Sequence, residues 1–281
     1  MIWACPICQL PLTAREGGVE CSANHQFDRA KQGYLPLLPA HHRRSAAPGD
    51  DKAMLEGRRN FLSAGYYAPL AELVAEALCS RDPIAGGLTL LDSGCGEGYY
   101  LDRIVQRAEG FPLQAYGLDI SKDAAKLSAK SVRSASIAVA SSFQLPVIDQ
   151  SVDVLLRIFS PGDLNEVARV LREDGEFWRV VPGPRHLYEL KRALYDEVKL
   201  HEIPGAPEGF EVLESKSLAF DIELESSESI EQLLQMTPFV WHGSDAGKNE
   251  LRQRTALSVS AEFVLQRYKK ATVQPREAGH G

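Results

Sequence analysis

The chain has 281 residues, of which 44% are hydrophobic and 25% are charged, and its net charge at pH 7 is −7. This composition is typical of a globular protein and excludes a surface that coats nucleic acid through overall positive charge. No apolar run reaches the roughly 18 residues of a membrane span, and the N-terminus lacks the pattern of a secretory signal. We therefore expect a cytoplasmic protein with no membrane partner, in which clustered cysteines bind metal.

The first 25 residues contain a predicted metal site. Cys5 and Cys8 have C-x₂-C spacing, and after twelve residues Cys21 and His25 follow as C-x₃-H. The intervening "REGGVE" predicts a hairpin turn in which Gly17-Gly18 adopts positive φ and brings the two pairs together. A closed Cys₃His tetrahedron has no open position, so we predict structural zinc in a small β module. The alternative is three buried cysteines and an unrelated histidine.

Positive charge is concentrated at the front of the chain. Residues 1–60 carry eight Lys/Arg against six Asp/Glu, whereas the other 221 residues carry 23 against 32. If RNA is a partner, we expect the front of the chain to contact its phosphates. A solvated linker is the equal alternative for the most basic stretch, 41–59, which holds His41, His42, Arg43, Arg44, Arg58 and Arg59.

The middle of the chain predicts a doubly wound, mostly parallel sheet. The stretch "LTLLDSGCGEG" (88–98) reads as a buried strand followed by a glycine turn into a helix, and 114–121 as a second strand. Further strands are predicted within residues 136–146, 150–160 and 175–183, with a helix over 164–174. Alternating strands and helices indicate an α/β fold that binds its ligand at the carboxyl edge of the sheet.

The glycine turn differs from dinucleotide and P-loop fingerprints. Its spacing is G-x-G-x-G, at Gly94, Gly96 and Gly98, and no Walker lysine follows. With Asp92 before it and Asp119 after the second strand, the pattern resembles class I S-adenosylmethionine methyltransferases. That resemblance implies that Asp92 and the glycines hold the methionine part of the cofactor and Asp119 the ribose. The alternatives are a dinucleotide enzyme and a degenerate scaffold.

One expected contact of that family is altered. The acid that usually stands four residues before the Leu of "LP" is replaced by Ser141. We assign Ser142, beside it, to the cofactor site, and the residue that contacts the adenine stays open.

The zinc module and the methyltransferase pattern together resemble the bacterial 23S ribosomal RNA (guanine-N1)-methyltransferases, nearest to their Gram-negative-type branch. The matching motifs, among them "CPxC", "LD-x-GCGEGYY" and "PGPRHL-x-ELK", lie at 5–8, 21–39, 48–50, 58–70, 91–100, 182–191 and 233–239. The resemblance implies methyl transfer from S-adenosylmethionine to N1 of one guanosine in a 23S rRNA hairpin, by a homodimer. Which guanosine is chosen and how the dimer is arranged stay open.

This resemblance also assigns segments and residues. We expect a zinc-binding module for RNA recognition at 1–36, a basic linker and lid helices at 37–80, the methyltransferase domain at 81–268 and a disordered tail at 269–281. Cofactor contacts are implied for Tyr67, Gly96, Glu97 and His186. For Tyr67 the alternative is simple packing, and for His186 a structural hydrogen bond at a helix start.

The chemistry requires loss of a proton, because guanine N1 is a poor nucleophile until its proton leaves. His186 is a candidate base and Glu189 a second. Arg157 is a candidate stabiliser of the O6 anion, and Phe159 a candidate stacking surface. The absence of Asn or Asp from "RIFSP" (157–161) disfavours adenine amino methylation. A small-molecule methyltransferase with a structural zinc module and a non-catalytic zinc-knuckle scaffold are the alternative functions.

Overall fold

A computed structural model describes residues 1–39, 52–82, 84 and 86–271 of the chain. Three short strands form a small antiparallel sheet: β1 (Leu12–Arg15), β2 (Gly18–Cys21) and β3 (Gln26–Asp28). Eight strands form the central sheet: β4 (Leu35–Pro36), β5 (Leu88–Ser93), β6 (Leu113–Asp119), β7 (Ser136–Val139), β8 (Val152–Ile158), β9 (Leu171–Pro182), β10 (Phe210–Leu224) and β11 (Leu257–Lys270).

The order of the central sheet is β10-β11-β9-β8-β5-β6-β7-β4. The strands from β9 to β4 pair in parallel, whereas β11 is antiparallel to both of its neighbours. The strand order reverses between β5 and β8, and such a switch point opens a crevice at the carboxyl edge. The predicted α/β, mostly parallel fold is confirmed.

Helices connect these strands. They are α1 (Lys52–Ser63), α2 (Ala68–Cys79), α3 (Tyr99–Arg107), α4 (Lys122–Ser131), α5 (Leu164–Val170), α6 (Tyr188–Leu194), α7 (Ser227–Gln235), α8 (Phe239–His242) and α9 (Asp245–Gln253). Helix α5 is shorter than the 164–174 that its apolar spacing predicts. Leu171 is already extended, with φ −67° and ψ 136°, and pairs with Val152, so the chain enters β9 four residues early. Within the described part of the chain, no helix is long and apolar enough to cross a membrane.

Both faces of the central sheet are buried, as expected of parallel strands. Neighbouring residues of β5 point to opposite faces: Leu90 packs with Phe61, Leu70 and other residues of one core cluster, and Leu91 belongs to the second. That second cluster includes Trp3 of the N-terminal module. The module therefore covers part of one sheet face.

The turn between β1 and β2 needs only one residue with positive φ. Arg15 pairs with Gly18, so the loop residues are 16 and 17, and Gly17 has φ +72°. Gly18, for which the sequence also predicts positive φ, is instead the first residue of β2. It has a steric role, because a Cβ there would lie 2.3 Å from the carbonyl oxygen of Phe27.

The N-terminal module and the central sheet share one core. The Trp3 indole is fully buried, its Nε1 donates to Ser136 Oγ at 2.8 Å, and its ring meets Tyr116 edge-on at 5.6 Å between centroids. Strand β4 then pairs in parallel with β7. The segment boundary expected at residue 36 therefore does not separate two packing units.

The C-terminal part adds a long hairpin of β10 and β11. Strand β11 extends to Lys270, which pairs with Phe210, so regular structure continues two residues past the predicted start of the tail. The rest of the predicted tail, 272–281, and the linker residues 40–51, including His41, His42, Arg43 and Arg44, lie outside the described residues.

Candidate functional site: a zinc ribbon and a cofactor cavity

Four predicted metal ligands come together in the N-terminal module. The ligand atoms of Cys5, Cys8, Cys21 and His25 all lie within 4.8 Å of one another. His25 Nδ1 is 3.5 Å from both Cys5 Sγ and Cys21 Sγ, and Cys8 Sγ is 3.6 Å from Cys21 Sγ. A tetrahedral zinc site with ordinary bond lengths requires about 3.6 Å between sulfur and nitrogen and about 3.8 Å between sulfurs. The geometry fits a zinc ion without rearrangement.

A cavity of about 730 Å³ opens at the carboxyl edge of the central sheet, at the switch point. Such a volume suits a small-molecule ligand. It is lined by most of the predicted cofactor residues: Tyr67, Asp92, Gly94, Gly96, Glu97, Asp119, Ser142 and His186. Gly98 and Arg157 lie outside the lining.

Asp119 organises the turn that forms the cavity floor. Its Oδ2 accepts a hydrogen bond from the Gly96 N–H at 2.9 Å, and its Oδ1 accepts one from the Ser121 N–H at 2.8 Å. Gly96 has φ +56°, and a Cβ there would meet nothing within 4 Å. The Gly96 backbone is thus bare toward open space, which is what a closely approaching ligand requires.

The other two glycines of the turn are required by neighbouring loops. Gly94 has φ +91°, and a Cβ there would lie 2.4 Å from the Cβ of Ser160, which follows β8. Gly98 has φ +93°, and a Cβ there would lie 2.7 Å from Ser128 Oγ on α4. Gly98 therefore shapes the turn into α3 and stands back from the cavity itself.

Three carboxylates gather at this end of the cavity. Asp92 is 2% exposed, and burial raises its pKa to about 8, with further contributions from the charges of Asp119 and Glu97. An acidic cluster in a nearly closed site favours a cationic ligand, because added positive charge relieves the repulsion. The ammonium and sulfonium groups of S-adenosylmethionine meet this requirement.

Cofactor affinity is expected to rise with pH up to about 8, because a cation near Asp92 binds its ionised form better and binding releases a proton. Without ligand the same shift acts on stability in the opposite sense. The native state holds the Asp92 proton more tightly than the unfolded chain, so this group's stabilising contribution is lost as pH rises from 3.8 to about 8. Calorimetric titration with S-adenosylhomocysteine between pH 6 and 8.5 measures the effect. A pH-independent affinity would contradict it, and Asp92→Asn should flatten the curve.

His186 lies on the opposite side of the cavity from these acids in a neutral state. Burial, reinforced by the charges of His201 and Lys191, lowers its pKa to about 3. The Glu262 N–H donates to His186 Nδ1 at 3.3 Å, so the ring proton is on Nε2, which is 3.3 Å from Tyr67 Oη. This imidazole therefore presents a donor and keeps no free lone pair.

Comparisons with known proteins agree with both halves of the chain. Residues 3–46 match the zinc-ribbon family described as RlmA, N-terminal, and residues 91–179 match a methyltransferase domain family. A 23S rRNA (guanine-N(1)-)-methyltransferase of Micromonospora griseorubida is 31% identical over 94% of this chain and 96% of its own. The 23S rRNA (guanine(748)-N(1))-methyltransferase of Streptomyces fradiae is 31% identical over 90% and 89%. The chain belongs to the 23S rRNA (guanine-N1)-methyltransferase family.

Other similarities are more distant. YxjB of Bacillus subtilis, named for the same activity, is 27% identical over 94% of this chain and 95% of its own. A methyltransferase structure from Bacillus halodurans has a TM-score of 0.45 and 14% identity, covering 71% of this chain and 98% of its own. The fold is that of class I S-adenosylmethionine-dependent methyltransferases, and the cysteine and histidine cluster is its zinc ribbon.

In this methyltransferase, Arg157 lies beneath the cavity wall. It is 4% exposed, and its Nη2 donates to the carbonyl oxygens of Ser142 at 3.3 Å and Asp163 at 3.2 Å. Burial lowers its pKa to about 10, which leaves it charged at neutral pH. Arg157 thus ties the loop that carries Ser142 to the loop that follows β8.

Glu189, the second predicted base, is held by β11. Its Oε2 accepts from the Ser260 N–H at 2.8 Å and its Oε1 from the Ser260 hydroxyl at 3.2 Å. It does not line the cavity. Both contacts are those of a carboxylate that anchors the start of α6.

The cavity wall also contains residues that sequence patterns do not reveal. Phe143, Thr237 and His201 line it, and His201 comes from the irregular segment between α6 and β10. Phe239, for which stacking and core packing are both open, lines it as well, whereas Trp241 is 62% exposed and does not. For His201 the only available signal is a histidine in a Gly/Pro-rich segment, which is too common to single out.

Proposed function

We propose that this protein transfers a methyl group from S-adenosylmethionine to N1 of one guanosine in a hairpin of 23S rRNA, in the cytoplasm and as a homodimer. One observation carries the proposal: a Cys₃His ribbon and a carboxylate-lined cofactor cavity occur on one sheet, in a chain whose relatives are named for this reaction. When bound, the cofactor supplies an electrophilic methyl group on a sulfonium.

The cavity has two chemically different ends, which suits a cofactor and a base. The acidic end holds Asp92, Glu97 and Asp119, and the other end is aromatic, with Phe159 and His186. Phe159 has φ +55°, is 47% exposed, and lies 6.4 Å from the His186 ring at an interplanar angle of 24°. Exposed aromatic rings stack on unpaired RNA bases, so we assign the flipped guanine to this end.

His186 acts in this scheme as a positioning group. Its neutral Nε2–H contacts Tyr67, whose ring is buried edge-on against Phe61 and Phe263 at 5.1 and 4.9 Å. Burial raises the pKa of Tyr67, so the hydroxyl stays protonated and bridges the lid segment before α2 to the wall after β9. The pair fixes the wall between the two ends of the cavity.

The zinc ribbon supports RNA recognition in this proposal. Its turns are fixed by the metal, and recognition of hairpin loops depends on shape. Arginines of the 41–59 stretch add phosphate contacts that weaken with salt. Size-exclusion chromatography with light scattering tests the homodimer, with a monomer at micromolar concentration opposing it.

The decisive experiment is methyl transfer with radiolabelled cofactor to a 23S rRNA hairpin, to unrelated RNA and to a small-molecule extract. Label on N1 of a single hairpin guanosine supports the proposal. Label only in the extract indicates a small-molecule enzyme, and no label anywhere indicates a non-catalytic scaffold. Either result overturns it.

Phe159→Ala is expected to weaken the RNA substrate's KM or rate by about 5- to 100-fold, because one base–aromatic stack contributes roughly 1–3 kcal/mol. Trp241→Ala is the matched control, since Trp241 is also exposed but lies outside the cavity lining. Steady-state methylation of the hairpin measures both variants. Equal activity of the two would remove Phe159 from the base site.

A further inference from the structure

The aromatic end of the cavity contains a close pair of basic side chains, Lys191 and His201. Lys191 Nζ is 2.6 Å from His201 Nε2 and 5.7 Å from the centroid of the Phe239 ring. Lys191 is on α6, whereas His201 is in the irregular segment that follows. The two side chains therefore meet across the end of a helix, and His201 lines the cavity.

The positive charge of this pair is not neutralised within the described part of the chain. Lys191 is 5% exposed, and none of the described carboxylates forms an ion pair with it. Burial lowers its pKa, and burial together with the Lys191 charge lowers the pKa of His201. A buried charge without a partner is costly unless an anion or a developing negative charge is placed beside it.

The hydrogen bond sets the protonation of His201. An ammonium can only donate, so Lys191 Nζ donates to Nε2, and the proton of the neutral imidazole is on Nδ1. Nδ1 has no hydrogen-bond partner among the residues that the structure describes. The cavity wall therefore carries a spare donor, polarised by a buried cation.

The segment that carries His201 is fixed in place. The His201 N–H donates to the Pro184 carbonyl at 3.0 Å. Three residues farther on, the Pro204 carbonyl accepts from Gln266 Nε2 at 3.0 Å, and Arg179 Nη2 donates to the Gly205 carbonyl at 3.0 Å. Preorganised donors stabilise transition states because they need no reorientation when charge develops.

We propose that His201, polarised by Lys191, donates a hydrogen bond to O6 of the target guanine and stabilises the anion formed when N1 loses its proton. The proposal rests on the proposed function, because it requires a guanine at the aromatic end. The N1 proton passes to water, and its electron pair forms the new N1–CH₃ bond. The electron pair of the broken S–CH₃ bond stays on sulfur. His201 is then a catalytic residue, and Lys191 is a positioning residue that acts through it.

The test compares single-turnover methylation of the hairpin by His201→Ala, Lys191→Met and the double variant with wild type. We expect His201→Ala to slow the step by about 10²- to 10³-fold, as loss of one oxyanion donor does. Cofactor and RNA affinities should stay within about threefold, since neither group faces the acidic end. Glu202→Ala is the control, because Glu202 is exposed beside His201.

Two further readouts separate catalysis from folding. Because Lys191 acts through His201, the double variant should be no slower than His201→Ala alone, and His201→Gln, which keeps a side-chain donor, should recover part of the rate. Additive losses, or a rate loss matched by loss of cofactor affinity and thermal midpoint, would overturn the proposal. If wild type does not methylate N1 of the hairpin, the proposed function fails. If wild type does so and His201→Ala keeps its rate, only this inference fails.

Discussion

Cys8→Ser is expected to reduce the zinc content from about one ion per chain to near zero, because a tetrahedral site closed by protein ligands has no spare donor. Cys8 is the suitable ligand to replace, since it is half-buried whereas Cys5 is fully buried in the core. Methylation of the hairpin should fall by more than the roughly 100-fold that loss of a mere outer-shell partner can cost. Metal analysis and the methylation assay measure the two effects.

Cofactor binding should be affected much less by this substitution. The residues that line the acidic end come from β5, β6 and the turn into α3, and none belongs to the ribbon. Cys79→Ser is the control, because Cys79 ends α2 away from the metal ligands. Zinc retained at full occupancy in Cys8→Ser would contradict the assigned ligand set.

Asp119→Ala is expected to weaken cofactor binding by about 100-fold while zinc content is unchanged. The substitution removes the acceptor for the Gly96 and Ser121 N–H groups, and each donor left unpaired costs about 1–3 kcal/mol. It also removes the carboxylate that the family pattern assigns to the ribose. Calorimetric titration with S-adenosylhomocysteine measures the affinity.

Asp123→Ala is the matched control, because Asp123 is an exposed carboxylate four residues along the chain, on α4. It should bind cofactor like wild type. If both variants bound equally well, the floor of the cavity would not be the cofactor site.

Local patterns predicted the parts of the molecule that local physics determines. A buried strand, a glycine turn and an acid after the next strand follow from short-range requirements, and the cavity contains Asp92, Gly94, Gly96 and Asp119 together. The metal ligands likewise follow from spacing alone. The boundary of α5 was wrong because the apolar residues near Leu171 suit either a helix or a buried strand, and pairing with β8 decides between them.

The remaining site features depend on distant partners. The tautomer of His186 is set by the N–H of Glu262, 76 residues later on β11. Arg157 and Phe159 would share a face if the strand continued, but β8 ends at Ile158 and Phe159 has φ +55°, so only the phenylalanine enters the cavity wall. The pairing of Lys191 with His201 depends on an irregular segment without any periodic signal. These properties belong to the folded chain.

The shared core around Trp3 has a practical consequence for building chimeras. A ribbon taken from a relative to redirect the enzyme toward another guanosine would bring its own counterpart of Trp3 onto Tyr116 and Ser136, and its own last strand onto β7. A graft cut at residue 36 would therefore leave a mismatched seam inside the protein. Exchanging Tyr116 and Ser136 together with the ribbon keeps donor and acceptor surfaces from one parent.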